Sequence, residues 1–211
     1  MDTIAPPTRN YEKRHQRRDE TRVKLLEATV DCLNELGFHR LTTPEVCRRA
    51  GVSQGTFFYH FASKEGVMVA VNAHIHERLL VDTEAYYLSL DQLPPAERIS
   101  KLLDYIWESD YSGRYNIALK EVAMAARSDH ELHERLTPEA EENIATINER
   151  WHRYFYSQSP DLTLETIKDM VYIFVAGIAP SIGNREQDYQ KGVFEAWKKM
   201  IVPLIGVKER T

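Results

Sequence analysis

The hydrophobic positions of this chain recur almost everywhere at spacings of three and four, the period of helices with one buried face. The first such stripe follows Asp19 and runs through Leu25, Leu26, Val30, Cys32, Leu33 and Leu36. Gly37 with Phe38 behind it is the glycine-then-hydrophobic pair that ends a helix. Two short helices are predicted next, Pro44–Ala50 and Gln54–Phe61, and Ser63 is placed to cap a longer one running towards Leu90. Pro94-Pro95 opens a helix from Ala96 to about Glu108, and Asp110 to Gly113 reads as a turn. Further helices are predicted near Arg114–Arg127, His130–Ser157 (bent or split at Pro138), Thr163–Ile182 and Asp188–Ile205. No strand-like alternation persists, so the expected fold class is all-α with about nine helices. Residues 1–18 contain Pro6 and Pro7 and no apolar period, and are expected to form a flexible basic arm.

The segment from Leu41 to Phe61 is the densest in chemical meaning. Thr43 suits an N-cap, and Pro44 the first helical position, where its missing N–H costs nothing. Val46 and Ala50 share a face, Gly51 supplies the positive φ of a tight interhelical turn, Val52 plugs the corner and Ser53 caps the second helix. Phe57 and Phe61 give that helix its buried side. Two short helices joined by a three-residue turn containing glycine form a helix-turn-helix unit, here spanning 42–61. The other face of the second helix suits nucleic acid. Gly55 and Thr56 are short enough for close approach to a groove, and Gln54 can pair with adenine or other base edges. Tyr59, His60 and Lys64 can donate to phosphates, as can the N-terminal N–H groups of both short helices.

Net charge is −5, which taken alone argues against a nucleic-acid binder. The distribution changes that picture: residues 1–70 hold eleven Lys and Arg against nine Asp and Glu, the remainder sixteen against twenty-three. Lys13, Arg14, Arg17, Arg18 and Arg22 crowd together, as they would in a DNA-contacting arm or in a solvated basic tail. The two cysteines, Cys32 and Cys47, sit in apolar helical patterns and read as buried free thiols of a reducing, cytoplasmic compartment. No apolar run is long enough to cross a membrane. No phosphate-binding glycine loop, metalloprotease motif or nucleophile elbow occurs, so no catalytic residues, metal or cofactor are expected. His130 with His133 and His74 with His76 read as surface histidines.

The segment resembles the TetR family of transcriptional regulators. The resemblance is carried by Thr43, Ala50-Gly51-Val52-Ser53, Gly55-Thr56-Phe57, Tyr59-His60-Phe61 and Ser63-Lys64-Glu65. Phe58 departs from the pattern, which usually has a tyrosine there whose hydroxyl reaches a phosphate. The resemblance implies a DNA-binding domain at 19–65 and a helical effector-binding and dimerisation domain at 66–211. It implies DNA contacts from Thr42, Thr43, Pro44, Ser53, Gln54, Gly55, Thr56, Phe58, Tyr59, His60 and Lys64, with Arg17 and Arg18 of the arm reaching the backbone or minor groove. It also implies a homodimer on a palindromic operator, acting as a repressor released by a small effector. A TetR-like activator, or a helical small-molecule enzyme with a vestigial head, are the alternatives.

Beyond residue 66 the signals are weaker. Tyr105, Trp107, Trp151, Phe155 and Phe174 are candidates to line a pocket for an apolar or aromatic effector, although a bundle core uses the same residue types. The last two helices carry wide apolar stripes. Val171, Val175 and Ile178, then Val193, Trp197, Met200 and Ile201, are expected at the dimer interface or in the monomer's own core.

Overall fold

A computed structural model describes residues 9–178 and 187–209; the side chains of residues 9–12, 110–112, 178 and 187 fall outside that description. Nine α-helices occur among the described residues: α1 (Arg9–Arg40), α2 (Thr43–Ala50), α3 (Gln54–His60), α4 (Lys64–Ser89), α5 (Pro95–Ser112), α6 (Arg114–Ala126), α7 (His130–Tyr154), α8 (Leu164–Ile178) and α9 (Gln187–Ile201). The all-α class holds. One pair of short strands departs from it: β1 (Phe155–Ser157) and β2 (Ile205–Val207) pair antiparallel, with Tyr156 opposite Gly206. Three-residue strands carry no readable alternation, so the pattern assigned Phe155–Ser157 to the end of one helix and Ile205 to the end of another.

The expected irregular arm is corrected from Arg9 onward, where the chain is already in α1. Lys13, Arg14, Gln16, Arg17, Arg18 and Glu20 are strong helix formers. Every residue from Lys13 to Glu20 is exposed, so this part of the helix has no buried face for periodicity to reveal. Residues 1–8, with Pro6 and Pro7, lie outside the described residues.

The chain divides into two compact units, with the divisions falling inside α4, α6 and α7. The first comprises Met1–His74 with Ala118–His133, more than the 19–65 segment that the helix-turn-helix pattern marks out. Its core is built on Leu25, Leu26, Val30 and Leu33 of α1, Val46 of α2, Phe57 of α3 and Val67, Met68 and Val71 of α4, all buried. Ala118, Val122, Ala125 and Ala126 of α6 are buried too, and three of these four are alanines, whose short side chains let helices approach closely. The second unit comprises Ile75–Ile117 with Glu134–Thr211. Its core gathers Ile99, Leu102, Leu103 and Ile106 of α5, Trp151 of α7, Ile167, Val171 and Val175 of α8 and Phe194, Trp197 and Ile201 of α9. On its α4–α7 side the Glu84 carboxylate accepts from Arg150 at 2.5 Å and from the Tyr154 hydroxyl.

Gly37 is the sharpest local feature. Its φ of 73° and ψ of 168° lie in a region that only glycine occupies readily, and they break α1 three residues before its end. A Cβ there would also stand 3.0 Å from Glu121 Oε2. Replacing Gly37 with alanine is expected to cost about 1–3 kcal/mol and to lower the melting temperature by roughly 2–4 °C per kcal/mol. Differential scanning calorimetry of the two proteins checks this.

Candidate nucleic-acid interface

The interface is built by two short helices and the turn between them. α2 ends in a left-handed Gly51 (φ 68°, ψ 35°). The Gly51 N–H donates to the Arg48 carbonyl at 3.4 Å and the Val52 N–H to the Cys47 carbonyl at 3.0 Å, the paired bonds that close a helix with a glycine cap. Ser53 caps α3 as expected: its Oγ accepts from the Thr56 N–H at 3.1 Å and sits 2.9 Å from Thr56 Oγ1. At the start of α2 the expectation shifts by one residue. Thr42, extended at φ −126° and ψ 150°, is the N-cap, Thr43 begins the helix and Pro44 follows; the Thr42 side chain makes no cap bond. Thr42 and Pro44 are exposed, whereas Thr43 is half-buried.

α3 turns Phe57 fully inward, with Phe61 buried just beyond it. Its outward side carries Gln54, Gly55, Phe58 and Tyr59, with Phe58 54% and Tyr59 70% exposed. The Phe58 ring stands edge-on against Phe57, centroids 5.4 Å apart. Along one flank runs α1. Arg14, Arg18 and Arg22, spaced by four, form a ridge on one exposed face with Arg17 beside it. The Arg18 guanidinium lies 5.7 Å from the Tyr59 ring centre and that of Arg22 5.6 Å from Phe61. His60 is half-buried on this flank; burial first, then the charges of Arg18 and Arg22, hold its imidazole below its ordinary pKa and favour the neutral ring. Arg22 belongs with Arg17 and Arg18 in this surface, and its spacing of four from Arg18 was the signal that would have added it.

Lys64 is placed differently from the expectation of a free phosphate donor. Its Nζ donates to the Phe38 carbonyl at 2.8 Å and lies 4.2 Å from the Phe38 ring centre, and burial lowers its pKa. This ammonium is engaged in closing the broken end of α1. Ser63, at the cap of α4, accepts from the Gly66 N–H at 3.1 Å. Arg48 and Arg49 of α2 are also committed: both bond Glu45, and Arg49 reaches Glu35 at 2.7 Å. The Arg49 bond to Glu35 braces α2 on α1, while the Arg48–Glu45 pair stays within α2.

The residues proposed from sequence in the second unit are mostly interior. Trp151 and Phe155 are buried in its core; Trp107 stacks on Phe194 at 4.6 Å, Phe174 on Trp197 at 4.3 Å, and Tyr105 on Tyr86 at 4.4 Å. Each of the five candidates is therefore in ring-to-ring or core packing. The expected interface residues are corrected in the same way. Val171, Val175, Trp197 and Ile201 point into the unit's own core, Val193 is half-buried, and of this set Met200 is exposed, at 67%. The Ile178 side chain lies outside those described. The apolar groups that α8 and α9 leave outside are Met170, Ile173 (73% exposed), Tyr189 and Met200. No helix among the described residues is long and apolar enough to cross a membrane, and no cluster of three or more potential metal ligands occurs among them.

A helix-turn-helix with an exposed second helix and a basic ridge beside it, carried on an otherwise helical chain, defines a helix-turn-helix protein of the all-α class. Residues 25–71 match the family described as bacterial regulatory proteins, tetR family. An uncharacterised HTH-type transcriptional regulator of Mycobacterium tuberculosis, Rv2912c, is 32% identical over 121 residues, which cover 57% of this chain and 60% of that relative's length. Among solved structures, a transcriptional regulator from Rhodococcus superposes with a TM-score of 0.66 over 90% of this chain and 99% of the other, at 20% identity. A protein of Saccharomonospora viridis in complex with choline gives a TM-score of 0.64 over 91% and 100% of the two chains, at 16% identity. These structural likenesses show the fold alone.

Glu45 provides a pH test of the head. Its hydrogen bonds to Arg48 and Arg49 hold its carboxyl at about 2, below the usual carboxylate value. A lowered carboxyl pKa stabilises the fold at pH values above the unfolded pKa, and that contribution is lost as pH falls through the folded one. The melting-temperature difference between the wild type and Glu45→Gln is therefore expected to be constant above about pH 5 and to vanish towards about pH 2. Melting curves recorded in a pH series check it.

Proposed function

We propose that this protein is a ligand-responsive transcriptional regulator that binds a palindromic DNA site as a homodimer. The observation carrying this reading is the outward face of α3, with Gln54, Gly55, Phe58 and Tyr59 exposed opposite a buried Phe57. A seven-residue helix of this kind fits the major groove, and the Arg14, Arg17, Arg18 and Arg22 ridge supplies phosphate contacts alongside it. Gln54, at the first position of α3, is the base reader. Thr56 sits beside it with its hydroxyl held against Ser53, so its methyl group is the part free to meet a base. Tyr59 serves the backbone.

The expected chemistry is salt-dependent binding. Purified protein is expected to bind its own promoter region with a dissociation constant of about 10⁻⁸–10⁻¹¹ M, weakening steeply as salt rises. Gln54→Ala is expected to change the ranking of operator variants, each good base contact being worth about 1–3 kcal/mol. Arg18→Ala should weaken all sequences alike. Fluorescence anisotropy on a panel of duplexes separates the two, and indifference to the promoter at low salt would overturn the reading.

The second copy docks through α8 and α9, and the residues that carry it are the exposed Met170, Ile173, Tyr189 and Met200 rather than the inward-facing valines. Gly192 and Ala196 lie between Tyr189 and Met200 on α9, small enough for a partner helix to approach closely. The combined Ile173→Glu and Met200→Glu variant is expected to sediment as a monomer and to lose most of its affinity for a palindrome. An unchanged dimer would remove α8 and α9 from the interface. The effector belongs to the second unit, and its release of DNA makes the protein a repressor. Because a protein sharing this fold is bound to choline, quaternary ammonium compounds join apolar and aromatic molecules in a thermal-shift screen.

A further inference from the structure

Phe58 is the one large apolar side chain other than Tyr59 that α3 leaves in solvent, and the phenyl group has nothing with which to hydrogen-bond either a phosphate or a base. It is 54% exposed, yet its ring is braced edge-on against Phe57, which is fully buried, so its position rests on the rigid core of the head. It lies four residues after Gln54, on the same stripe of the helix. Four residues of helix rise about 6 Å, close to two base-pair steps of roughly 3.4 Å each. The edge of a base pair in the major groove carries one apolar group, the C5 methyl of thymine.

Resting on the DNA-binding reading above, we infer that Phe58 is a specificity residue that selects a thymine by burying its C5 methyl, about two base pairs from the base read by Gln54. The ring gains only from an apolar partner. Cytosine and uracil both carry only hydrogen at C5, and cytosine sets an amino group beside it, so both leave the ring against a gap. Selectivity of this kind costs the protein no buried donor, and it falls on a position that hydrogen-bond readout by Gln54 does not reach.

The test uses the full chain. Duplexes are selected by the purified protein from a random pool, and each thymine of the selected half-site is replaced in turn by uracil, which removes the methyl and leaves base pairing intact. One thymine per half-site is expected to respond, with affinity falling about fourfold, the worth of one buried methyl. In Phe58→Ala the same replacement should leave affinity unchanged, and sequences selected by that variant should lose their preference at this position. The exposed site makes folding of the variant straightforward to confirm by its melting curve, with Phe58→Leu as a second variant that keeps an apolar side chain and part of the discrimination. Selection of duplexes in which no thymine responds to uracil, or in which wild type and Phe58→Ala respond equally, overturns the assignment of Phe58 while leaving DNA binding intact. Failure to enrich any duplex overturns the DNA-binding reading and this assignment with it.

Discussion

The backbone of Phe38 is held from both sides, and the first unit depends on that clasp. Gly37 breaks α1, which strips the next peptide groups of helical partners that a part-buried backbone must replace. The Phe38 N–H finds the Glu121 carboxylate of α6 at 3.0 Å, and its carbonyl finds the Lys64 ammonium of α4 at 2.8 Å. One residue thereby ties the end of α1 to two other helices through charge-assisted hydrogen bonds, the stronger kind. The arrangement also explains why Ala118–His133 belongs to the same compact unit as the helix-turn-helix. A helix far along the chain supplies the acceptor that the break requires.

Within the helix-turn-helix, what could be read from sequence was whatever short-range chemistry decides. Gly51 needs a positive φ, Ser53 has the hydroxyl that α3's first turn requires, and Phe57 and Phe61 have no other face to turn inward. Thr42 and Thr43 are chemically identical, so sequence could not tell which one holds extended angles, and the cap moved by one residue. Lys64 has a second role that was hidden for a related reason. A lysine beside a recognition helix suggests a phosphate donor, but its partner is a carbonyl exposed by a glycine 27 positions earlier, and only the fold brings the two together.

The second unit was legible in its helices and not in its faces. Met170 to Ile178 is apolar nearly all round, so periodicity could not say that Val171 and Val175 turn inward while Met170 and Ile173 turn out. The pairing of β1 with β2 was hidden because its two partners are some fifty residues apart and each is too short to show alternation. The aromatic residues gave the right composition for a pocket and for a core alike. Ring stacks such as Phe174 on Trp197 show the second use.

Cys32 and Cys47 are the two cysteines of the chain, and both are buried free thiols in the first unit. Burial raises both, pushing the Cys32 thiol up to about 11, so at neutral pH neither is the thiolate that alkylating reagents and oxidants attack. The helix-turn-helix unit thus carries its own reporter. Modification of these sulfurs requires the packing around them to open, and the rate at which a thiol reagent enters measures that opening.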